Sequence, residues 1–318
     1  MSTQTMAEYR QLGKSGLRVS VPIFGAMSFG DRRWNSWVIE EEQALPVLKA
    51  AYDRGINTID TANMYSNGES EKIIRTFMEK YTIPRENLVI MTKAFFLVSP
   101  DPNVNTARAQ WTLTNTRDHV NHSGLSRTAL FHQVDASLAR LGTSYIDSGK
   151  VRYLGASNLK AWQLAEMNRV AELNGWTQFV GVQVEYSMLY RNPELELIPY
   201  CEYKGIGVIV YSALLMGHLA RPLGGETERS KATIGSPFEK KLRDSDSKIV
   251  QRVEELAKKK SWSMSHVALA WVASKVTSPI VGLSKVERLE ESITTGKILS
   301  DEDTKYLEEL YEVQRPRF

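Results

Sequence analysis

Apolar positions in this chain fall into short, nearly continuous runs separated by longer stretches of helical period. The runs Ile23-Phe24-Gly25, Thr58-Ile59-Asp60, Leu88–Thr92, Val151–Gly155, Val182–Glu185, Val208–Tyr211 and Pro279–Val281 read as strands buried on both faces. Between them the spacing predicts helices over Glu41–Arg54, Glu71–Lys80, Ser126–Leu141, Ala161–Asn174, Pro193–Lys204, Ser247–Lys260 and Ser263–Lys275, with closing helices over Val286–Thr294 and Asp301–Tyr311. Ser126 and Gly142 are the expected caps of their helix. Pro46 predicts a helix start close to it, since proline is best tolerated in a first turn. Tyr9–Val19 alternates around Lys14-Ser15-Gly16 and reads as a hairpin that would plug the bottom of a barrel.

Strand–helix alternation without a Gly-x-Gly-x-x-Gly motif favours an α/β (β/α)8 barrel, also called a TIM barrel, over an open dinucleotide-binding sheet. No linker or low-complexity segment interrupts it, so residues 1–318 are expected to form a single domain. One stretch breaks the rhythm. Thr143–Lys150 has room for no more than a stub before the strand at Val151. Adjacent parallel strands need a crossover of about a dozen residues or more, so the fourth strand–helix unit is expected to be truncated.

In parallel α/β proteins chemistry sits at the carboxyl ends of strands. Thr58–Ser70 ends a strand at Asp60 and places Tyr65 on the loop beyond, before a turn at Asn67-Gly68. The following strand ends in Lys93. These three residue types suit a proton-transfer group. A tyrosine hydroxyl titrates near pH about 10, too high for easy donation at neutral pH. An ammonium at about 4 Å contributes up to roughly 4 kcal/mol toward the phenolate, enough to lower the tyrosine pKa by about one to three. Asp60 would hold that ammonium in place. The alternative is a structural salt bridge beside an unrelated loop tyrosine. Trp34 and Trp37, on the loop Ala26–Trp37, either line a substrate pocket or pack the loop down. The long loop Ala94–Ser123, where prolines argue against regular structure, offers Trp111, His119 and His122 as candidate substrate contacts, with ordinary surface histidines as the alternative.

Charge narrows the partners. With 40 basic against 37 acidic residues the net charge is +3, which makes no electrostatic case for nucleic acid or an anionic membrane. Cys201 is the only cysteine, so neither an intramolecular disulfide nor a cysteine metal site is expected, and no metal. Met1–Tyr9 shows no signal-peptide pattern and no run of apolar residues is long enough to span a bilayer, which fits a cytoplasmic protein.

Taken together, Asp60-Thr-Ala-xx-Tyr65, Lys93, Gly155-Ala-Ser157-Asn158, Gln183, Val210-Tyr211-Ser212 and Val281-Gly-Leu-Ser284-Lys285-xx-Arg288-xx-Glu291 resemble the aldo-keto reductases. The order and spacing are similar to the aryl-alcohol dehydrogenase-like and versiconal hemiacetal acetate reductase-like members common in fungi, over about residues 8–312. The resemblance implies a reductase using NADPH/NADP on a small-molecule carbonyl or alcohol, as a tailoring step of fungal secondary metabolism. Tyr65 would be the proton donor, assisted by Lys93 and Asp60. Ser157, Asn158 and Gln183 would hold the nicotinamide, Tyr211 would stack on it, and Ser212, Leu214 and Gly217 would wrap the pyrophosphate. Ser284, Lys285 and Arg288, at an expected helix N-terminus, would take the adenosine 2′-phosphate, with Glu291 and Ser292 near the adenine.

The short stretch departs from the family, which carries about thirty more residues here, including a strand ending in a histidine that orients the carbonyl. The resemblance therefore leaves a second expectation, an NADP-binding protein with impaired catalysis, since such a group contributes about 10²–10⁴ in rate. A splicing or gene-model difference would give the same sequence, and the transcript across Asp147–Ser148 distinguishes it.

Overall fold

The computed structural model describes residues 6–146, 151–225, 227–235 and 239–317. The chain divides into two compact units: Phe24–Arg152 with Gly282–Leu289, and Met1–Ile23 with Tyr153–Val281 and Glu290–Phe318. Both are built from parallel strands alternating with helices, the α/β construction of a (β/α)8 barrel.

The larger unit begins with a hairpin of β1 (Glu8–Gln11) and β2 (Arg18–Val21). Its tip packs at the starts of two core strands: Leu12 fills the space above Gly181 and Gly207, and the Lys14 amide donates to Gly205 O at 2.7 Å. Either glycine would drive a Cβ into that leucine, so small residues there are a packing requirement.

In the smaller unit β3 (Ile23–Gly25) leads to helix α1 (Glu41–Asp53), then β4 (Thr58–Asp60), α2 (Glu69–Lys80) and β5 (Val89–Met91). β4 pairs in parallel with β3 and β5, in the register Gly25↔Asp60 and Asp60↔Met91. Pro46 does not mark the start of α1, which begins five residues earlier. The buried face Ala44, Leu45, Val47, Leu48 and Ala51 holds the helix through the proline, which is exposed in the second turn and whose missing amide would have bonded the carbonyl of exposed Glu42. The loop after β5 is more regular than its prolines implied, for it contains α3 (Thr106–Leu113). Next, α4 (Arg127–Leu141) is capped by the Ser126 hydroxyl, which accepts from the Ala129 amide, and by Gly142 at φ +63°.

No strand of full length lies between α4 and the next core strand among the described residues. Ile146 makes one isolated bridge, to Val151, and the junction Asp147–Lys150 lies outside the described residues. The expected strand at Val151–Gly155 sits three residues later, as β6 (Leu154–Ser157). It is followed by α5 (Ala161–Leu173), β7 (Phe179–Glu185), α6 (Leu197–Lys204) and β8 (Gly207–Tyr211). A short α7 (Glu228–Thr233) precedes α8 (Asp244–Lys260), α9 (Met264–Lys275), β9 (Ser278–Gly282) and α10 (Asp301–Glu308). β6 to β9 pair in sequence order, all parallel. The predicted helix Val286–Thr294 is instead two three-residue 3-10 turns, Val286–Arg288 and Glu290–Ser292.

Cys201 is buried on α6 with its thiol pushed up to about 12 by that burial, so it stays protonated and inert. Among the described residues no helix is long and apolar enough to cross a membrane, and no cluster of metal-ligating side chains occurs.

Candidate active site

The pairing of β4 with β5 brings Asp60 and Lys93 out at neighbouring strand ends. Lys93 Nζ donates to both Asp60 carboxylate oxygens at 2.7 and 2.8 Å and to Thr61 O at 2.8 Å. The Tyr65 hydroxyl lies 3.5 Å from the same nitrogen. Burial alone would lower the Lys93 pKa, but the Asp60 carboxylate and Tyr65 more than offset it, and the net effect raises it. Lys93 is therefore an ammonium at neutral pH, aimed at a phenol oxygen.

Tyr65 is fixed by the loop that follows it. Ser66, Asn67 and Gly68 all have left-handed backbone, with φ of +51°, +54° and +91°. Such a run persists only when its surroundings over-determine it. Ser66 Oγ accepts from the Asp31 amide at 2.7 Å. Asn67 Nδ2 donates to Asp101 O at 3.1 Å and Val104 O at 2.8 Å, while Asn67 Oδ1 accepts from Ser99 N and Thr106 Oγ1, each at 3.3 Å. Arg140 covers Gly68 so closely that a Cβ there would stand 2.4 Å from its Cδ.

Arg140 also donates to Glu71 Oε2 at 2.6 Å, and Thr92 Oγ1 donates to Glu71 Oε1 at 2.6 Å. Glu71 has no exposed side-chain surface. This buried carboxylate ties α4 to α2 and to the residue immediately before Lys93. Sequence reasoning missed Asn67, Glu71 and Arg140. Glu71 reads as an ordinary acid in a helix's first turn, and its partner lies 69 residues away.

The larger unit collects the other predicted residues. Register places Ser157 opposite Gln183, the Asn158 amide donates to Gln183 O at 3.1 Å, and the Tyr211 hydroxyl donates to Asn158 Oδ1 at 2.9 Å. Asn158 and Ser212 share left-handed backbone, at φ +55° and +57°. The chain after Leu214 turns through Leu215, Met216 and Gly217, also at positive φ, and Arg221 Nε donates to Gly217 O at 3.1 Å. Beside this turn Met216, His218, Arg221, Lys231 and Lys240 line a hollow. Burial, then Arg221, lowers the His218 pKa and keeps that ring neutral. Glu185, buried at the end of β7, pairs with Lys240 at 2.9 Å and with Arg317, holding the 239–243 segment and the C-terminal tail to one strand end. Glu291 accepts from Ser265 Oγ at 3.4 Å, and Ser292 is buried.

Ser284, Lys285 and Arg288 belong to the smaller unit. The helix N-terminus expected there is absent, since the residues from Val286 make only a single 3-10 turn. Glycine, proline-flanked strand and a three-residue turn leave too few aligned amides for a helix dipole. What remains is a pair of exposed cations, neither in an ion pair among the described residues.

Trp34 is buried, with Trp37 edge-on to it at 6.2 Å, whereas Trp111 is exposed on α3. His119 and His122 lie on the loop before α4, where His122 stacks on His132 at 4.5 Å. His218 and His266 lie in the other unit. None of the five ends a core strand.

The Aldo/keto reductase family matches residues 23–148 and 146–312, and this chain belongs to it. It is 45% identical over 342 residues to an aldo-keto reductase of Fusarium vanettenii, covering 97% of this chain and 92% of the relative. A versiconal hemiacetal acetate reductase of Aspergillus parasiticus is 39% identical over 338 residues, covering 96% of this chain and 97% of the relative. A Schizosaccharomyces pombe protein with an aryl-alcohol dehydrogenase name is 40% identical over 353 residues, covering 98% and 97%. The chain is thus an oxidoreductase of the aldo-keto reductase family, with its (β/α)8 fold class. The two matched segments meet at residues 146–148, and the Fusarium alignment, at 342 residues, is longer than this 318-residue chain. That relative therefore carries residues with no counterpart here.

Proposed function

We propose that residues 1–318 act as one NADPH-dependent carbonyl reductase domain, converting a small aldehyde or ketone to an alcohol, reversibly, with Tyr65 as proton donor. The observation that carries this reading is Lys93 Nζ, held by both Asp60 oxygens and 3.5 Å from the Tyr65 hydroxyl. The ammonium stabilises negative charge developing on the phenol oxygen as its proton leaves for the carbonyl. Asp60 keeps the ammonium charged and in position. The strained loop after Tyr65 keeps the hydroxyl on target.

Ser157, Asn158, Gln183, Tyr211, Ser212, Leu214 and Gly217 would hold the nicotinamide and pyrophosphate, beside a hollow lined by Arg221 and Lys231 together with Glu239. Ser284, Lys285 and Arg288 would take a 2′-phosphate, with Glu291 and Ser292 toward the adenine. Exposed lysine and arginine with no ion pair among the described residues fit a phosphate better than a diol. When bound, the dinucleotide supplies the hydride. Trp34 and Trp37 shape the substrate end of the β3 loop, and the role proposed is a cytoplasmic tailoring step of fungal secondary metabolism, in keeping with relatives from fungi.

Tyr65→Phe tests the reading, because it removes one hydroxyl and keeps the ring. NADPH oxidation with an aromatic aldehyde should fall by at least about a hundredfold while NADPH still binds. Unchanged turnover would assign the proton to another group. A second reading, an NADP-binding protein with little chemistry, draws on the short stretch at residues 146–148 and on the absence of a strand-end histidine. It predicts NADPH binding with no aldehyde reduction in the wild type.

A further inference from the structure

Helix α5 turns to solvent a face with large apolar residues at both ends and an acid and a base between them. Trp162 is 61% exposed and Leu173 is 71% exposed, and Trp176, just past the helix, is 63% exposed. Steps of four, three and four residues put Trp162, Glu166, Arg169 and Leu173 on one face. The opposite face, with Ala161, Leu164 and Ala171, is buried against the body of its unit. β6, which leads into α5, is itself incompletely covered along its length and pairs with β7. The family match breaks and resumes at residues 146–148, just upstream of both elements.

We propose that this stripe is a homodimer interface, in which α5 packs antiparallel against α5 of a second copy about a twofold axis passing between Met167 and Asn168. The spacing of the stripe supports that occupant over an unrelated protein. Setting Trp162 against Leu173 of the partner subunit sets Glu166 against Arg169 of the partner subunit without further adjustment, and symmetry makes each contact twice. At these four positions apolar meets apolar and acid meets base. Within one copy Arg169 already pairs with Glu166, at 2.9 and 2.7 Å, so both side chains lie on this face and can bridge to a second copy.

The area is adequate. With about 150–250 Å² per aromatic side chain, Trp162, Leu173 and Trp176 expose roughly 400 Å² in each copy. Covering them in both copies removes roughly 800 Å², and the flanking residues of two helices carry the total past the roughly 1,000 Å² of a specific interface. The inference does not depend on the catalytic reading.

Sedimentation equilibrium of the full chain over a concentration series tests it. The wild type should be a dimer at concentrations on the order of 100 μM. Leu173→Glu, at an exposed position that does not endanger folding, should weaken association at least tenfold. Glu166→Arg should weaken it by a smaller factor, because it faces Arg169 of the partner subunit, and Glu166→Arg with Arg169→Glu should restore it. A wild type that stays monomeric, one that grows beyond two copies, or a Leu173→Glu variant that dimerises as tightly as the wild type would overturn the proposal.

Discussion

Lys93 spans both oxygens of the buried Asp60 carboxylate at 2.7 and 2.8 Å, so a single part-buried ion pair fixes the ammonium beside Tyr65. Removing one partner of such a pair leaves the other uncompensated. Asp60→Ala should therefore destabilise the chain by about 3 kcal/mol and also reduce turnover. Urea unfolding and NADPH oxidation measure the two effects separately.

The same pair has a defined pH signature. Folding raises the Lys93 pKa, so its contribution to stability is fully present below the unfolded value of about 10.4 and is lost as pH rises through the higher folded value. The stability difference between wild type and Lys93→Met should stay flat from about pH 6 to about pH 9 and shrink only in stronger alkali. Denaturant midpoints across that range check it. A difference that shrinks near neutrality would mean that Lys93 deprotonates in the working range.

Gly68→Ala should be costly for two reasons acting at one atom. The position has φ +91°, and the added methyl would stand 2.4 Å from Arg140 Cδ. Backbone strain of about 1–3 kcal/mol adds to displacement of an arginine that neutralises buried Glu71. Thermal melting should fall, and turnover should fall more than substrate affinity, because the loop carries Tyr65. Equal stability would show that the Arg140 contact is dispensable.

How much of this was legible beforehand differs by residue. The core strands and the order Asp60, Tyr65, Lys93 show in the sequence because each strand is a local apolar run ending in a polar group. The Ser126 cap and the Gly142 stop are local as well, and both occur. The clamp on Tyr65 was illegible, since Asn67, Glu71 and Arg140 find their partners through tertiary contacts 21 to 69 residues apart. The helix expected after Lys285 failed for a related reason. Its apolar spacing fits a helix, yet Leu289 and Ile293 are buried just after two separate 3-10 turns.

If Lys285 and Arg288 take the 2′-phosphate as proposed, they do so without help from a helix terminus. NADPH should bind at least tenfold tighter than NADH, or about 1.4 kcal/mol, and Lys285→Ala with Arg288→Ala should erase most of that preference. Fluorescence titration with both dinucleotides decides it. Equal wild-type affinities would remove the 2′-phosphate from this site.

The last prediction concerns the short stretch at Asp147–Ser148. Within its unit β6 pairs with β7, and residues 153–158 stay largely uncovered, unlike the buried interior of β7 and β8. A core strand selected for burial on both faces but left open loses apolar burial of about 25 cal/mol per Å² and offers unpaired backbone groups to other chains. Against a total stability of about 5–15 kcal/mol that loss is serious. Inserting the corresponding segment of the Fusarium relative after Asp147 should raise the melting temperature and reduce aggregation. If the inserted segment also brings a histidine to the carbonyl, aldehyde reduction should rise by about 10²–10⁴. The two effects separate: a higher melting temperature with unchanged turnover would mean that the chain lacks cover but not a catalytic group. A chain that melts as high and reduces aldehyde as fast without the segment would show that the seven core strands among the described residues suffice.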